Sequence, residues 1–498
     1  MAVHKVCGIE TEFGILHRNP DGESNPVSAS SMLINAFVND RLDGRIGWDF
    51  DDERPDVDAR GIEDFEAYAP EVETHLINAV LTNGARYYVD HAHPEMSSPE
   101  CYDARDAVVY DKAAERTLVA SMEVANRLLP DGQELIVHKN NSDGKGNSYG
   151  THENYLLDRA TPFGRIVQHI TPFFVTRQIF TGSGKVGSEA PGLDIEDVPF
   201  QITQRADFFE EEVGLETTLK RPIVNTRDEP HANSRRYRRF HVINADATQS
   251  EIATYLKVGT AAIVLAMIDD DVVPRDLALR TPVATMRHVS YDLSLSEPLP
   301  MADRGTMTAL EIQWEYLDLA RKYGEEYGFV AVGGDDIGQD VLARWESVLS
   351  ALERDPMELA DQLDWVAKWR LIRGFTERHG IGWDDPRVKA LDLQFHDLRP
   401  DKNLFSRLGM QRLTTDDEVE HAVLHPPSRT RAYFRGRCLE KFKDDIVAAN
   451  WDSIVFDVGT DPLRRVPTLE PLRGTEAHVG NVLDDVDTVL ELLAELGA

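Results

Sequence analysis

The sequence predicts an α+β fold, in which a curved antiparallel sheet has one polar face and helices packed on the other. Three observations predict it. Four short strand patterns each put paired polar residues on a single face: Glu10 with Glu12, Arg86 with Tyr88 and Asp90, His152 with Asn154, and Arg239 with His241. Alternate residues of a strand share a face, so these pairings follow from spacing. Long helical patterns, at residues 103–129 and 250–269, supply apolar faces to back such a sheet. After about residue 400 the pattern becomes shorter-grained. This predicts a large unit over residues 1–420 and a small C-terminal unit over 421–498.

In chain order, residues 3–16 read as a first strand, with Ile9, Thr11 and Phe13 facing away from Glu10 and Glu12. Residues 28–39 read as a short helix. Residues 41–67 carry ten acids and few apolar side chains, a composition that does not offset ordering entropy, so a mobile acidic loop is expected there. Trp48 and Phe50 stand out within it, as an aromatic pair that docks transiently or as an accident of a tolerated insertion. Asn83-Gly84 is a turn signal before the strand Arg86-Tyr-Tyr-Val-Asp90, and Glu95 follows just beyond. Asp103 is placed to cap the long helix. Residues 135–138 form a strand, and the Gly- and Asn-rich stretch 139–146 reads equally as a phosphate-cradling loop or a plain hairpin turn. Residues 148–157 and 200–207 are strands, the latter carrying Gln204 and Arg205. Arg235-Arg236-Tyr237-Arg238-Arg239 concentrates positive charge. It neutralises either an anionic ligand or neighbouring acids. Further helices are expected at 308–322, 340–352, 357–375, 388–398 and 479–496, and a strand at 451–458.

Composition narrows the function. The chain has 498 residues, 42% of them apolar, enough for a sizeable core. With 53 basic and 87 acidic residues the net charge is −34. Such a field opposes nucleic acid or an anionic membrane as the main partner. Three isolated cysteines fit a reducing cytoplasm, and no secretory leader pattern is visible at the N-terminus. Neither GxxxxGK[ST] nor GxGxxG occurs, so P-loop and Rossmann sites are not supported.

Each polar pair alone is a weak signal, since Glu10 with Glu12 also reads as a solvated strand face and His152 as a core histidine. Four together, combining carboxylates, imidazoles and Arg, suit Mg²⁺ with nucleotide phosphates. A zinc site on His91-Ala-His93 lacks a third ligand and meets Pro94.

The segments Gly8-Ile-Glu-Thr-Glu-Phe-Gly14, Asn83-Gly-Ala-Arg-Tyr-Tyr-Val-Asp90, His93-Pro-Glu95, Ser148-Tyr-Gly-Thr-His-Glu-Asn-Tyr155, Asn225-Thr-Arg-Asp-Glu-Pro-His231 and Arg431-Ala-Tyr-Phe-Arg-Gly436 resemble the family of Pup ligases and Pup deamidases/depupylases. That family is related to carboxylate-amine ligases of the glutamine synthetase type. The long acidic insert before Asn83, together with Glu216-Thr-Thr-Leu-Lys220 and Pro467-Thr-Leu-Glu-Pro-Leu-Arg-Gly474, is similar to the deamidase branch; the ligase branch is the alternative, and a non-catalytic Pup-binding adaptor a third. The resemblance implies a glutamine synthetase-like catalytic domain and ATP, or ADP with phosphate, and Mg²⁺ as cofactors. It implies Pup and pupylated proteins as partners in a proteasome pathway. It further implies Asp90 as the catalytic carboxylate, with Glu10, Tyr88, Glu95, His152, Arg239 and His241 at the metal centre. Arg86, Ser98, Asn154, Arg205 and Trp451 would contact nucleotide. A basic groove for acidic Pup is expected between Arg227 and Arg239 and near Arg431. Ala232-Asn233-Ser234 and Asn244-Ala-Asp-Ala-Thr-Gln249 depart from the family pattern, away from these residues.

Overall fold

The computed structural model describes residues 1–20, 22, 24–42, 46–51, 53–61, 77–273 and 276–497. Its centre is a six-stranded antiparallel sheet built from β1 (Cys7–Glu12), β2 (Asn78–Val80), β3 (Arg86–Asp90), β4 (His93–Ser97), β5 (Thr151–Asp158) and β6 (Tyr237–Ala245), in the order β6-β5-β1-β4-β3-β2. The expected alternation is present. In β3 the side chains of Tyr87 and Val89 are buried while Arg86, Tyr88 and Asp90 lie on the more open face. In β1, Ile9 and Thr11 are buried and Glu10 and Glu12 are not.

Helices cover the apolar face. They are α1 (Pro26–Arg41), α2 (Ala104–Leu128), α3 (Phe163–Thr181) and α4 (Glu251–Asp269). Ile9, Tyr155, Phe240 and Val242 pack with Phe173, Phe174 and nearly all of α4 in the largest core. Tyr87, Val89 and Met96 pack with Leu33, Ile34 and Phe37 of α1 and Leu118 of α2 in a second. Asp103 caps α2 by accepting from the Arg105 and Asp106 amides at 2.9 and 3.0 Å, and Ser250 caps α4 through the Ala253 amide. Among the described helices only α4 is long and apolar enough to cross a membrane, and it is wholly buried in the core.

Several elements differ from expectation. The first strand breaks at Phe13. Gly14–Arg18 leaves the main sheet to pair with Glu134–His138. The bend depends on Gly14, where a Cβ would sit 2.3 Å from Asn140 Oδ1. Only Phe200–Gln201 of the strand expected at 200–207 forms, because the buried Asp246 carboxylate takes the Gln204 amide at 2.8 Å. The C-terminal helical pattern is two helices, Glu476–Asp485 and Val489–Leu496. Thr488 and Glu491 form a capping box that restarts the chain.

A third core gathers Tyr433, Phe434, Ile454 and Leu492 around a four-stranded sheet, Arg464–Pro467, Ser453–Phe456, Ile446–Ala449 and Gly47–Trp48. Its last strand comes from the acidic insert. Residues 43–45, 52 and 62–67 of that insert lie outside the described residues. The rest is docked rather than free: Trp48 is 5% exposed, the Ala59 amide donates to Thr226 O at 2.8 Å, and Thr226 Oγ1 donates to Asp58 Oδ2 at 2.9 Å.

Candidate active site

Strand register brings the polar pairs together. Glu10 lies opposite His152 on one side and Ser97 on the other, Glu12 opposite Glu95, and Asn154 opposite both Gly8 and His241. Two clusters of possible ligands result. The ligand atoms of Glu10, His152 and His241 lie within 4.8 Å of one another, and so do those of Glu12, Asp90 and Glu95.

Asn154 organises the first cluster. Its Nδ2 donates to Glu10 Oε1 at 2.7 Å. Its Oδ1 accepts from Arg239 Nη1 at 2.8 Å and from His241 Nδ1 at 2.9 Å. His241 therefore carries its proton on Nδ1 and keeps the Nε2 lone pair for a ligand. Burial opposes ionisation of Glu10, but the His152 hydrogen bond and the neighbouring Arg239 charge outweigh it and hold the carboxyl well below its usual range. Burial also pushes the His241 imidazole well down.

The second cluster is all carboxylate. Burial, with the charges of Asp90, Glu12 and Glu10, pushes Glu95 well above the ordinary carboxyl range. Burial works against the ionised form of Asp90 too, yet the His91 contact holds it below the usual range. Gly150 donates its amide to Glu12 Oε2 at 2.9 Å. A Cβ there would sit 2.6 Å from Asn141 Oδ1.

Beside the first cluster lies an open cleft. Val6, Leu156, Pro230 and Trp451 line its apolar part, and Glu10, Ser98, Asn154 and Arg239 its polar part. Glu100, His231 and Arg431 also line it.

Other expected residues sit differently. Arg239, expected in the metal set, is a guanidinium with no lone pair to give; it donates to Asn154 and to Glu229 O. Tyr88 belongs to neither cluster, and its hydroxyl is 3.4 Å from Ser97 Oγ. Arg86 is held away from the cleft, its guanidinium 4.1 Å from the ring centres of both Trp48 and Tyr88, with Asn78 Oδ1 accepting at 2.9 Å. Ser98 Oγ is engaged by the Ile9 amide and Pro99 O. Arg205 is 1% exposed and donates to the carbonyls of Ile243 and Ala245, outside the cleft lining. The expected basic groove is largely turned inward: Arg238 is buried, Arg236 pairs with Glu470, and Arg431 is buried on Glu100. The glycine-rich turn at 139–146 is filled from within, since Glu189 accepts the Gly146 amide at 2.8 Å.

The family model described as Pup-ligase protein matches residues 5–455. The depupylase of Acidothermus cellulolyticus is 51% identical, covering 99% of each chain. The Pup deamidase/depupylase of Mycolicibacterium smegmatis is 47% identical over 99% of this chain and 100% of that one. The Pup–protein ligase of Xylanimonas cellulosilytica is 35% identical over 97% and 99%. Two solved structures are similar. One is the complex of Pup with its ligase PafA, at TM-score 0.80 and 30% identity over 99% and 94% of the chains. The other is PafA with ADP, at TM-score 0.72 and 35% identity over 82% and 89%.

Proposed function

The chain belongs to the Pup-ligase protein family, and on that premise we propose that it is a nucleotide-dependent amidohydrolase of Pup. It converts the C-terminal Gln of Pup to Glu and releases Pup from target lysines. Both reactions cleave a γ-carboxamide and differ only in the amine that leaves. The observation that carries the reading is the position of Asp90, at the open end of β3, within 4.8 Å of Glu12 and Glu95. The higher identity to depupylases than to the ligase, 51% against 35%, supports hydrolysis over ligation.

The residues fit the implied cofactors. Three converging carboxylates repel one another unless a cation lies among them, and an all-oxygen donor set suits Mg²⁺. Glu10, His152 and His241 offer a second, mixed set. Arg239 and Arg227, the latter with a buried Nε that has no hydrogen-bond partner among the described residues, suit nucleotide phosphate, and the apolar wall with Trp451 suits the base. A bound cation would polarise the amide carbonyl. Asp90 either attacks that carbonyl carbon, expelling the amine with a proton from water and leaving an acyl-aspartate that the remaining hydroxide hydrolyses, or takes a proton from water that attacks directly and passes it to the departing amine. A cytoplasmic setting in a proteasome pathway fits three separate buried thiols.

The test is direct. Incubated with Pup ending in Gln, Mg²⁺ and ATP, the protein is expected to release ammonia and leave Pup ending in Glu. Joining of Pup ending in Glu to a target lysine, with no ammonia released, would overturn the reading in favour of a ligase.

A further inference from the structure

The turn after Asp90 places a histidine, rather than asparagine or glycine, where a two-residue hairpin calls for a positive φ. Asp90 pairs with His93, so only His91 and Ala92 connect β3 to β4. Two-residue connections of this kind favour Asn or Gly where φ is positive. Here His91 adopts φ 51°, a left-handed conformation uncommon outside glycine, although histidine enters it more readily than most residues. The turn is fastened on both sides. Ser30 Oγ donates to Ala92 O at 2.9 Å. His93 Nδ1 lies 3.1 Å from Phe13 O, with its ring against Tyr149.

The strained backbone has a visible result. Neighbouring side chains of an extended chain leave on opposite faces. The left-handed residue turns the His91 side chain back toward its neighbour, so that Nδ1 lies 3.1 Å from Asp90 Oδ2. We propose that His91 is a positioning residue for the amide-cleaving reaction. It fixes the Asp90 carboxylate by donating to Oδ2, which leaves Oδ1 presented to the scissile carbonyl. Strain retained at one residue beside a reacting group is the pattern expected of preorganisation. This inference rests on the amidohydrolase reading above.

The experiment compares the unaltered chain with H91G and H91N, measuring ammonia release from Pup ending in Gln and the melting temperature of each. Glycine keeps the backbone and removes the donor. Asparagine tolerates positive φ and restores an N–H donor. For H91G, kcat is expected to fall about tenfold or more while KM stays within about twofold and melting is unchanged or raised. H91N is expected to recover a large part of that loss. Equal kcat in H91G and the unaltered chain, or no recovery in H91N, would overturn the positioning role alone. No ammonia release by the unaltered chain would overturn the amidohydrolase reading and the role of His91 with it.

Discussion

Replacing Glu100 with Gln tests how Arg431 and Arg435 are joined to the site. The Glu100 carboxylate accepts from Arg431 Nε at 2.7 Å and from both Nη atoms of Arg435. These guanidiniums are 3% and 2% exposed. Burial favours the neutral acid, but the Arg435 and Arg431 charges hold the carboxyl down at about 2, against an ordinary 4.5. At 1.36 kcal/mol per pH unit that difference corresponds to about 3 kcal/mol at neutral pH. Removing one partner of a buried ion pair costs about 3–5 kcal/mol by mutational precedent, so the two routes agree. Glu100→Gln is therefore expected to lose about 3 kcal/mol at pH 7. A carboxyl with a depressed folded pKa stabilises above its unfolded value and loses that contribution as pH falls through the folded one. The gap between wild type and variant should accordingly narrow from about pH 4.5 toward about pH 2. Urea unfolding followed by tryptophan fluorescence reads this, because Arg435 lies 5.1 Å from the ring centre of Trp451. A loss below about 1 kcal/mol at pH 7, or a gap that does not shrink between about pH 5 and pH 3, would refute the reasoning.

Three further outcomes are expected. Asp90→Asn should lower amide cleavage by about a thousandfold or more while nucleotide affinity, read by fluorescence titration, stays close to wild type. Glu12→Gln removes one of three crowded carboxylates, so it should raise the melting temperature of chelator-treated protein and shrink the increase that added Mg²⁺ brings. Trp48→Ala empties a buried indole site and should cost about 3–5 kcal/mol, seen by hydrogen exchange as faster opening of Ile446–Ala449 ahead of the main sheet.

The face of each strand was legible because alternation is local. The grouping of Glu10, His152, Asn154 and His241 followed once the strands were taken as one sheet. Glu12 carries the same signal as Glu10, yet its partnership with Asp90 and Glu95 depends on the order β5-β1-β4-β3, which spacing along the chain does not encode. Glu100 and His231 offered no alternating polar pattern of their own; Glu100 reaches the cleft because Ser98 and Cys101 on either side of it bond to Ile9 and Cys7 of β1. Arg86 was legible as a polar strand residue, but its partner Trp48 lies 38 positions upstream in a segment whose acidity argued for disorder. Composition averages over a segment and misses a single docked aromatic.

The Gly47–Trp48 strand runs parallel to Ala448–Ala449, so a fragment cut to residues 421–498 would start life with a bare hydrogen-bonding edge and a vacant indole socket. Such a fragment should self-associate through that edge, whereas an amino-terminal fragment would carry an orphaned ribbon with nothing to clasp. The two halves are better candidates for complementation in trans than for study apart.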